Sequence, residues 1–190
     1  MKFITTLFVM LFSLSLVAQP ESSNSQKFYD IINDVSADRI KKDIEKLVSF
    51  GTRHTLSDTV SQTRGIGAAR RWIKSEFTQI SKGCNKCLEV DYIRNFVEGD
   101  PKTRIKMTTE IVSVMAVLKG TKYPNRYVIM SGDIDSRVSD VLNSTSDSPG
   151  ANDNATGMAG VLEAARVLSK YQFESSIIFV GLSGEEQGLY

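Results

Sequence analysis

The chain has 190 residues, of which 41% are hydrophobic and 24% are charged, a balance typical of a folded globular protein. The 23 Lys and Arg residues against 22 Asp and Glu residues leave a formal net charge of +1, which argues against binding nucleic acid through bulk positive charge. With 1 His and 2 Cys, a metal site made mainly of imidazoles or thiolates is excluded, so carboxylates would have to supply most ligands.

Residues 1–18 have the pattern of a secretory signal peptide. Lys2 supplies a positive start, the run up to Val17 is apolar or small, and Ala18 precedes a polar change. This run is shorter than the about 20 residues that a membrane-spanning helix needs, and an uncleaved N-terminal anchor is the alternative. We expect cleavage near Ala18, a flexible leader over residues 19–35, no stable membrane insertion after cleavage, and a secreted or periplasmic protein.

Two helices and three strands are predicted in the first part of the mature chain. The apolar spacing of Ile40, Ile44 and Leu47 indicates a helix that Ser36 can cap. A second helix is predicted over residues 66–80. Runs rich in β-branched residues predict strands over residues 88–93, 111–118 and 127–134.

A strand–helix–strand unit is predicted in the last part of the chain. Apolar residues at helical spacing indicate a helix over residues 157–171, and residues 176–182 have the composition of a buried strand. Together with the strand over residues 127–134, they predict two parallel strands joined by a right-handed helical crossover.

Cys84 and Cys87 have the spacing of a redox motif or of half a zinc site. They follow the predicted end of a helix, where the helix dipole disfavours a thiolate, and a second cysteine pair is missing from the sequence. The remaining interpretation is a structural disulfide in an oxidising compartment.

Three acidic clusters follow predicted strands or precede a predicted helix. Asp133 and Asp135 alternate at the end of one strand and therefore share a face. Asp153 comes just before the last helix, where the alternative is a purely structural role as an N-cap residue. Glu185 and Glu186 follow the last strand, where the alternative is a solvated turn without a chemical role.

Taken together, the clusters predict a divalent metal site. Ligand sites of open parallel sheets lie outside the carboxyl ends of the strands, where all three clusters fall. Converging carboxylates repel one another unless a cation neutralises them. One carboxylate of the Glu185–Glu186 pair can bind metal while its neighbour takes a proton from water. A calcium loop is a poor match because Arg137 stands where another oxygen ligand belongs.

Three segments resemble the M28 family of zinc aminopeptidases, in particular its secreted bacterial members. They are Gly-Asp-Ile-Asp-Ser at residues 132–136, the Ala-Asn-Asp-Asn-Ala loop within residues 149–157, and Gly-Glu-Glu-Gln-Gly at residues 184–188. Residues 50–54 and 65–73 are also similar to that family. The resemblance implies an α/β fold with a mixed, largely parallel central sheet flanked by helices, of the phosphorylase/hydrolase-like zinc exopeptidase type.

The resemblance also implies roles for individual residues. Asp153 corresponds to the aspartate that bridges two zinc ions, and Glu186 to a terminal ligand of one of them. Glu185 corresponds to the general base that activates water, and Asp135 to the aspartate that orients a ligand histidine. Asp133 stands where the family has that histidine, so we expect it to act as a shorter, charged oxygen ligand with weaker or altered metal binding.

The family normally continues beyond the position of Tyr190 and supplies a further Asp and a further His ligand. We therefore expect residues 36–190 to be the N-terminal part of a catalytic domain, with a partial zinc site. We also expect the strand over residues 176–182 to lie on an exposed edge of the sheet. His54 lies where the family has no ligand, and we interpret it as a loop or packing residue.

The resulting hypothesis is a secreted zinc aminopeptidase that uses activated water to hydrolyse N-terminal peptide bonds, with peptides as substrates and no nucleic-acid partner. We expect this chain alone to have little or no activity. Two alternatives stay open. One is a degenerate, non-catalytic peptidase-like domain, which Asp133 favours. The other is an acyltransferase of the glutaminyl cyclase type with one zinc ion, which the acidic signatures fit less well.

Overall fold

The computed structural model describes residues 23–190, so the predicted signal peptide lies outside the described residues. Helix α1 (Ser23–Asn33) belongs to one compact unit, and residues 34–190 form another. Helix α1 occupies part of the segment expected to be a flexible leader. Its apolar Phe28 and Ile32 recur at helical spacing but are exposed, and the surrounding polar residues hid this short pattern in the sequence.

Three further helices belong to the larger unit. Helix α2 (Ala37–Val48) begins after Ser36, whose side-chain oxygen accepts a hydrogen bond of 3.4 Å from the backbone N–H of Arg39. The predicted helix and its cap are therefore confirmed. Helices α3 (Gly65–Gly83) and α4 (Thr156–Leu168) also lie where periodicity placed them. No helix of the described part of the chain is long and apolar enough to span a bilayer.

Four strands form one sheet in the order β1-β2-β4-β3. The strands are β1 (Leu88–Val97), β2 (Thr109–Leu118), β3 (Tyr123–Asp133) and β4 (Ser175–Leu182). β3 and β4 are parallel and are connected through α4, which confirms the predicted strand–helix–strand unit. The β1–β2 and β2–β4 pairs are antiparallel. The expected mixed sheet is thus confirmed. It is less parallel than expected, because one of the three pairings between described strands is parallel and two are antiparallel.

The expectation that residues 176–182 form an edge strand is wrong. β4 lies between β2 and β3, with Val114 of β2 opposite Gly181 and Val128 of β3 opposite Ile177. Because both edges of β4 are paired, the edges of the described sheet are β1 and β3. Val128 and Ile129 on β3 are exposed, so the apolar edge strand of this fold is β3.

Helices α3 and α4 pack against the sheet and against each other, and enclose the core. Its fully buried members include Phe77 and Ile73 from α3, Leu162 from α4, and Phe179 from β4. After α3, Cys84 and Cys87 form the predicted disulfide. This packing fixes the carboxyl ends of β3 and β4 beside the start of α4.

Candidate functional site

The three acidic clusters lie at one end of the sheet. Asp133 is the last residue of β3 and is paired with Leu182 of β4. Asp153 lies in the turn that leads into α4, and Glu185 begins the 3₁₀ turn that follows β4. Because β3 and β4 are parallel, their carboxyl ends bring these turns together, as the sequence predicted.

Asp135 is the buried anchor of the site. Its side chain is 1% exposed. One carboxylate oxygen, Oδ2, accepts hydrogen bonds from Thr55 Oγ1 at 2.6 Å and from the backbone N–H groups of Gly184 and Glu186 at 3.1 Å each. Burial raises the pKa of Asp135 above its usual range, and these hydrogen bonds oppose the rise. Asp135 therefore ties the Glu185–Glu186 turn to the end of β3.

The other oxygen of Asp135 points into the protein without a partner. Oδ1 is buried, and no described residue hydrogen-bonds to it. The resemblance implies that this aspartate orients a histidine ligand, but Asp133 stands at that position. The carboxylate of Asp133 has no N–H to donate to Oδ1.

A glycine with positive φ makes the contact between Asp135 and the turn possible. Gly184 has φ of 98°, and a Cβ there would lie 3.0 Å from Ile111 Cδ1. In this conformation its N–H points at Asp135 Oδ2. Most other residues would be strained in this conformation. The Gly of the Gly-Glu-Glu motif is therefore needed for the backbone geometry of the turn.

Glu186 is held by cationic side chains of the chain itself. Arg137 Nε lies 2.5 Å from Glu186 Oε2, in an ion pair with little exposed surface on the carboxylate side. Arg104 Nη1 donates a hydrogen bond of 2.7 Å to the backbone carbonyl of Glu186. The carboxylate expected to be a zinc ligand is thus partly neutralised by a guanidinium.

Glu185 is affected electrostatically by the other acidic side chains of the site. Its side chain is partly exposed. Burial contributes most to raising its pKa above the usual range, and the negative charges of neighbouring carboxylates raise it further. Those neighbours are Glu186, Asp133, Asp135 and Asp153.

Asn154, rather than Asp153, accepts a hydrogen bond from a backbone N–H group in the first turn of α4. Its Oδ1 accepts a hydrogen bond of 2.8 Å from the N–H of Gly157, and its Nδ2 donates one of 3.1 Å to Asp133 Oδ2. Asp153 has extended backbone angles and is exposed. The N-cap alternative for Asp153 therefore does not describe its place, and its carboxylate faces solvent at the mouth of the site.

Arg53 is the structural residue that sequence reasoning missed. Its side chain is 1% exposed and donates to the backbone carbonyls of Ile134, Pro149, Gly150 and Leu47 at 2.7–3.1 Å. Burial lowers the pKa of Arg53 to about 10, while Asp135 and Asp153 oppose that fall. A buried cation thus holds the two acidic loops in place and offsets part of their charge.

His54 is a packing residue, as expected. It is buried, the N–H of Leu56 donates to its Nδ1 at 3.0 Å, and its Nε2 lies 3.0 Å from the carbonyl oxygen of Val141. Both ring nitrogens therefore have local partners within the loops.

The carboxylates fit a zinc ion in donor type but not in number. Zinc accepts oxygen ligands from Asp and Glu, which are the residue types at positions 133, 153 and 186. Within residues 23–190, however, no three His, Cys, Asp or Glu side chains lie together closely enough to hold one metal ion.

Known proteins are similar to this chain in sequence. The profile described as Peptidase family M28 matches residues 113–190, which include all three acidic clusters. A protein of Pyrenophora tritici-repentis named "Probable zinc metalloprotease" is 47% identical over 177 residues, covering 93% of this chain and 36% of that protein. The chain thus spans about a third of the length of the curated relatives it matches.

Solved structures share the fold. The LapA aminopeptidase of Legionella pneumophila superposes with a TM-score of 0.62 at 22% identity, covering 86% of this chain and 39% of that one. A glutaminyl cyclase of Porphyromonas gingivalis superposes with a TM-score of 0.61 at 19% identity, covering 83% of this chain and 49% of that one. With its acidic loops inside the matched residues and this fold around them, the chain belongs to peptidase family M28.

Proposed function

We propose that this chain is part of a secreted zinc-dependent aminopeptidase that hydrolyses N-terminal peptide bonds. The observation that carries the proposal is the position of Asp133, Asp153 and Glu185 at the same end of the sheet. Burial and the charges of the neighbouring carboxylates raise the pKa of Glu185 there. Such a grouping is costly without a cation. The relatives named zinc metalloproteases support zinc as that cation, and the Cys84–Cys87 disulfide supports an oxidising compartment.

Glu185 is the proposed general base. A carboxylate with a raised pKa accepts a proton from an attacking water more readily than an ordinary one, and it can later donate that proton to the leaving amine. Its partial exposure leaves room for water and substrate. When bound, zinc supplies Lewis acidity that polarises the scissile carbonyl.

The other carboxylates have supporting roles in the proposal. Asp153 and Asp133 would hold zinc through their carboxylate oxygens. Glu186 would be a third ligand, and zinc would compete there with the ion pair between Glu186 and Arg137. Asp135 is a positioning residue because it holds the turn that carries Glu185 and Glu186.

Zinc binding and turnover test the proposal on the chain as it exists. The variants are Asp153→Asn, Glu185→Gln and, as a matched control, Glu89→Gln on the exposed face of β1. We expect weak zinc binding by calorimetry that falls about tenfold or more in Asp153→Asn, since even indirect changes cost roughly 10–100-fold. Glu89→Gln should leave that affinity unchanged.

Activity toward an aminoacyl-amide should be low, because the described residues gather too few ligands. Whatever turnover is measured should require zinc and disappear in Glu185→Gln. Robust turnover would contradict the expected weak activity. If Asp153→Asn left zinc affinity unchanged, or if the chain bound no zinc, the metallopeptidase proposal would be wrong.

The alternatives have distinct outcomes in the same assays. A glutaminyl cyclase would release ammonia from an N-terminal glutaminyl peptide without releasing a free amino acid, and the shared fold makes this test necessary. For a non-catalytic domain, Asp133→His should restore neither zinc affinity nor turnover. If activity appeared only in Asp133→His, that aspartate would be the inactivating difference.

A further inference from the structure

His54 has a contact across the fold that packing within its own loops does not account for. The imidazole is 0% exposed, and its Nε2 lies 3.0 Å from the side-chain amide nitrogen of Gln187, a residue that is 1% exposed. The two residues are 133 positions apart in the chain. Gln187 directly follows Glu185 and Glu186 in the 3₁₀ turn after β4. The one imidazole of the sequence thus touches the turn that carries both glutamates.

The surroundings of the ring fix which of its nitrogens carries the proton. The backbone N–H of Leu56 donates to Nδ1 at 3.0 Å, so Nδ1 must present a lone pair. On the other side of the ring, the carbonyl oxygen of Val141 lies 3.0 Å from Nε2 and can only accept. Both contacts are satisfied by the neutral ring with its proton on Nε2. His54 is therefore a donor at Nε2.

A donor at Nε2 also decides the orientation of the Gln187 amide. With the amide nitrogen beside Nε2, two donors face each other, while Oε1 of Gln187 is buried and has no hydrogen-bond partner among residues 23–190. A half-turn about the last bond of the side chain exchanges the amide oxygen and nitrogen without changing its shape. Oε1 then accepts a hydrogen bond from His54. This orientation removes the contact between two donors and gives the buried oxygen a partner.

Adjacent residues of one segment reach both anchors of the turn. Thr55 donates to Oδ2 of Asp135 at 2.6 Å, and the same oxygen accepts the backbone N–H of Glu186 at 3.1 Å. The preceding residue, His54, contacts Gln187 at the end of the turn. The segment therefore holds the turn indirectly through Asp135 and directly through the imidazole.

We propose that His54 is a positioning residue of the acidic site, acting through a hydrogen bond from its Nε2–H to Oε1 of Gln187. This bond restrains the residue next to Glu186 and so limits the orientations of the turn that carries the proposed base and a proposed zinc ligand. Because the same Nε2–H faces the carbonyl of Val141, the ring also joins this turn to the loop after β3. The positioning role rests on the proposed function, whereas the hydrogen bond does not.

The ring nitrogens of His54 provide a test on the unaltered chain that needs no zinc. Because the sequence has 1 His, long-range ¹H–¹⁵N spectra of the chain without a histidine tag show a single imidazole. We expect a protonated Nε2 and an unprotonated Nδ1 at about pH 7. In Gln187→Leu the Nε2 resonance should move. A protonated Nδ1, or an Nε2 resonance that is unchanged in Gln187→Leu, would overturn the proposal.

Amide hydrogen exchange separates positioning of the turn from a general effect on stability. Gln187→Leu keeps most of the side-chain volume but removes the acceptor, and exchange of the Glu186 N–H should accelerate about fivefold, as for one hydrogen bond. The matched control is Gln79→Leu on the exposed side of α3, which should leave that rate unchanged. Equal acceleration at Glu186 and at Phe179 in the core would mean only lost global stability, and would contradict the positioning role.

A double-mutant cycle tests the link to the metal site. His54→Phe and Gln187→Leu should each weaken zinc binding about tenfold. The double variant His54→Phe/Gln187→Leu should bind no more weakly than either, because both changes remove the same bond. Additive losses, or unchanged affinity in the single variants, would contradict the positioning role.

The outcomes separate this inference from the proposed function. If the parent chain binds no zinc, the metallopeptidase proposal fails, while the imidazole spectra and the amide exchange still decide whether His54 holds the turn. If a variant fails to fold, the spectra of the unaltered chain decide whether Nε2 carries the proton that the hydrogen bond requires.

Discussion

Arg137 and Glu186 form an ion pair of 2.5 Å between Nε and Oε2, although 49 residues separate them in the chain. The side chain of Glu186 is 10% exposed and that of Arg137 is 34% exposed. An internal cation thus occupies one oxygen of a proposed metal ligand. Any cation that binds at Glu186 must share the carboxylate with Arg137 or displace it.

Removing Arg137 should therefore strengthen zinc binding. In Arg137→Gln the carboxylate of Glu186 loses a competing partner, whose charge-assisted hydrogen bond is worth about 1.5–3 kcal/mol, so zinc affinity should rise roughly tenfold. Calorimetric titration with zinc measures the change, and Arg126→Gln is the control. A weaker affinity in Arg137→Gln would mean that Arg137 orients Glu186 for the metal instead of competing.

The hydrogen bond from Thr55 to Asp135 should contribute measurably to stability. Both residues are buried, and their oxygens are 2.6 Å apart. Thr55→Val keeps the shape but removes a donor to a buried carboxylate, so the free energy of unfolding should fall by about 2 kcal/mol. Urea denaturation measures it, with Thr63→Val on the exposed loop as the control. An equal loss in both variants would contradict the assigned role.

Asp43 should make stability depend on pH. It is buried on α2, and its Oδ2 lies 3.1 Å from Nη2 of Arg166 on α4. Burial raises the pKa of Asp43 above 3.8, and this effect exceeds the lowering by Arg166. The folded state therefore keeps the proton to higher pH than the unfolded state. The contribution of Asp43 to stability is greatest below its unfolded pKa and is lost as the pH rises through its folded pKa.

The comparison of Asp43→Asn with the parent chain isolates this effect. As the pH rises from about 3 to about 7, the variant should gain stability relative to the parent, because it has no buried carboxyl to ionise. Urea denaturation at each pH measures the difference, and Glu45→Gln on the exposed face of α2 is the control. If the parent gained instead, the attraction of Arg166 would outweigh burial.

The disulfide between Cys84 and Cys87 should stabilise the fold modestly. It closes a very short loop, with a sequence separation of 3, for which the chain-entropy relation gives about 2 kcal/mol. The double variant Cys84→Ser/Cys87→Ser should lose about that amount in urea denaturation, and reduction of the parent should produce the same loss. No change in either experiment would show that the bridge contributes nothing to stability.

Local patterns predicted the elements that carry the candidate site. The apolar spacing of Ile40, Ile44 and Leu47, with Ser36 before them, identified α2 and its cap. The composition of β3 and β4 and the helix between them identified a parallel pair, and therefore the end of the sheet at which the acidic clusters meet. These predictions succeeded because period and capping depend on neighbours in the chain.

Contacts between distant segments could not be predicted in the same way. Arg53 binds carbonyls of Ile134, Pro149 and Gly150, which lie more than 80 residues away. The position of β4 inside the sheet depends on its pairing with β2, and a strand's composition does not name its partners. Helix α1 was missed because its few apolar residues stand among polar ones.

The sequence by itself determined which residues could act as ligands and bases, and at which end of the sheet they would lie, because residue type and strand direction are local properties. Only the tertiary structure decided which partner each of them has. It joined Glu186 to Arg137, left one oxygen of Asp135 and two nitrogens of Arg70 without partners among the described residues, and raised the pKa of Glu185. Those outcomes depend on burial and on distances across the fold, which no local pattern contains.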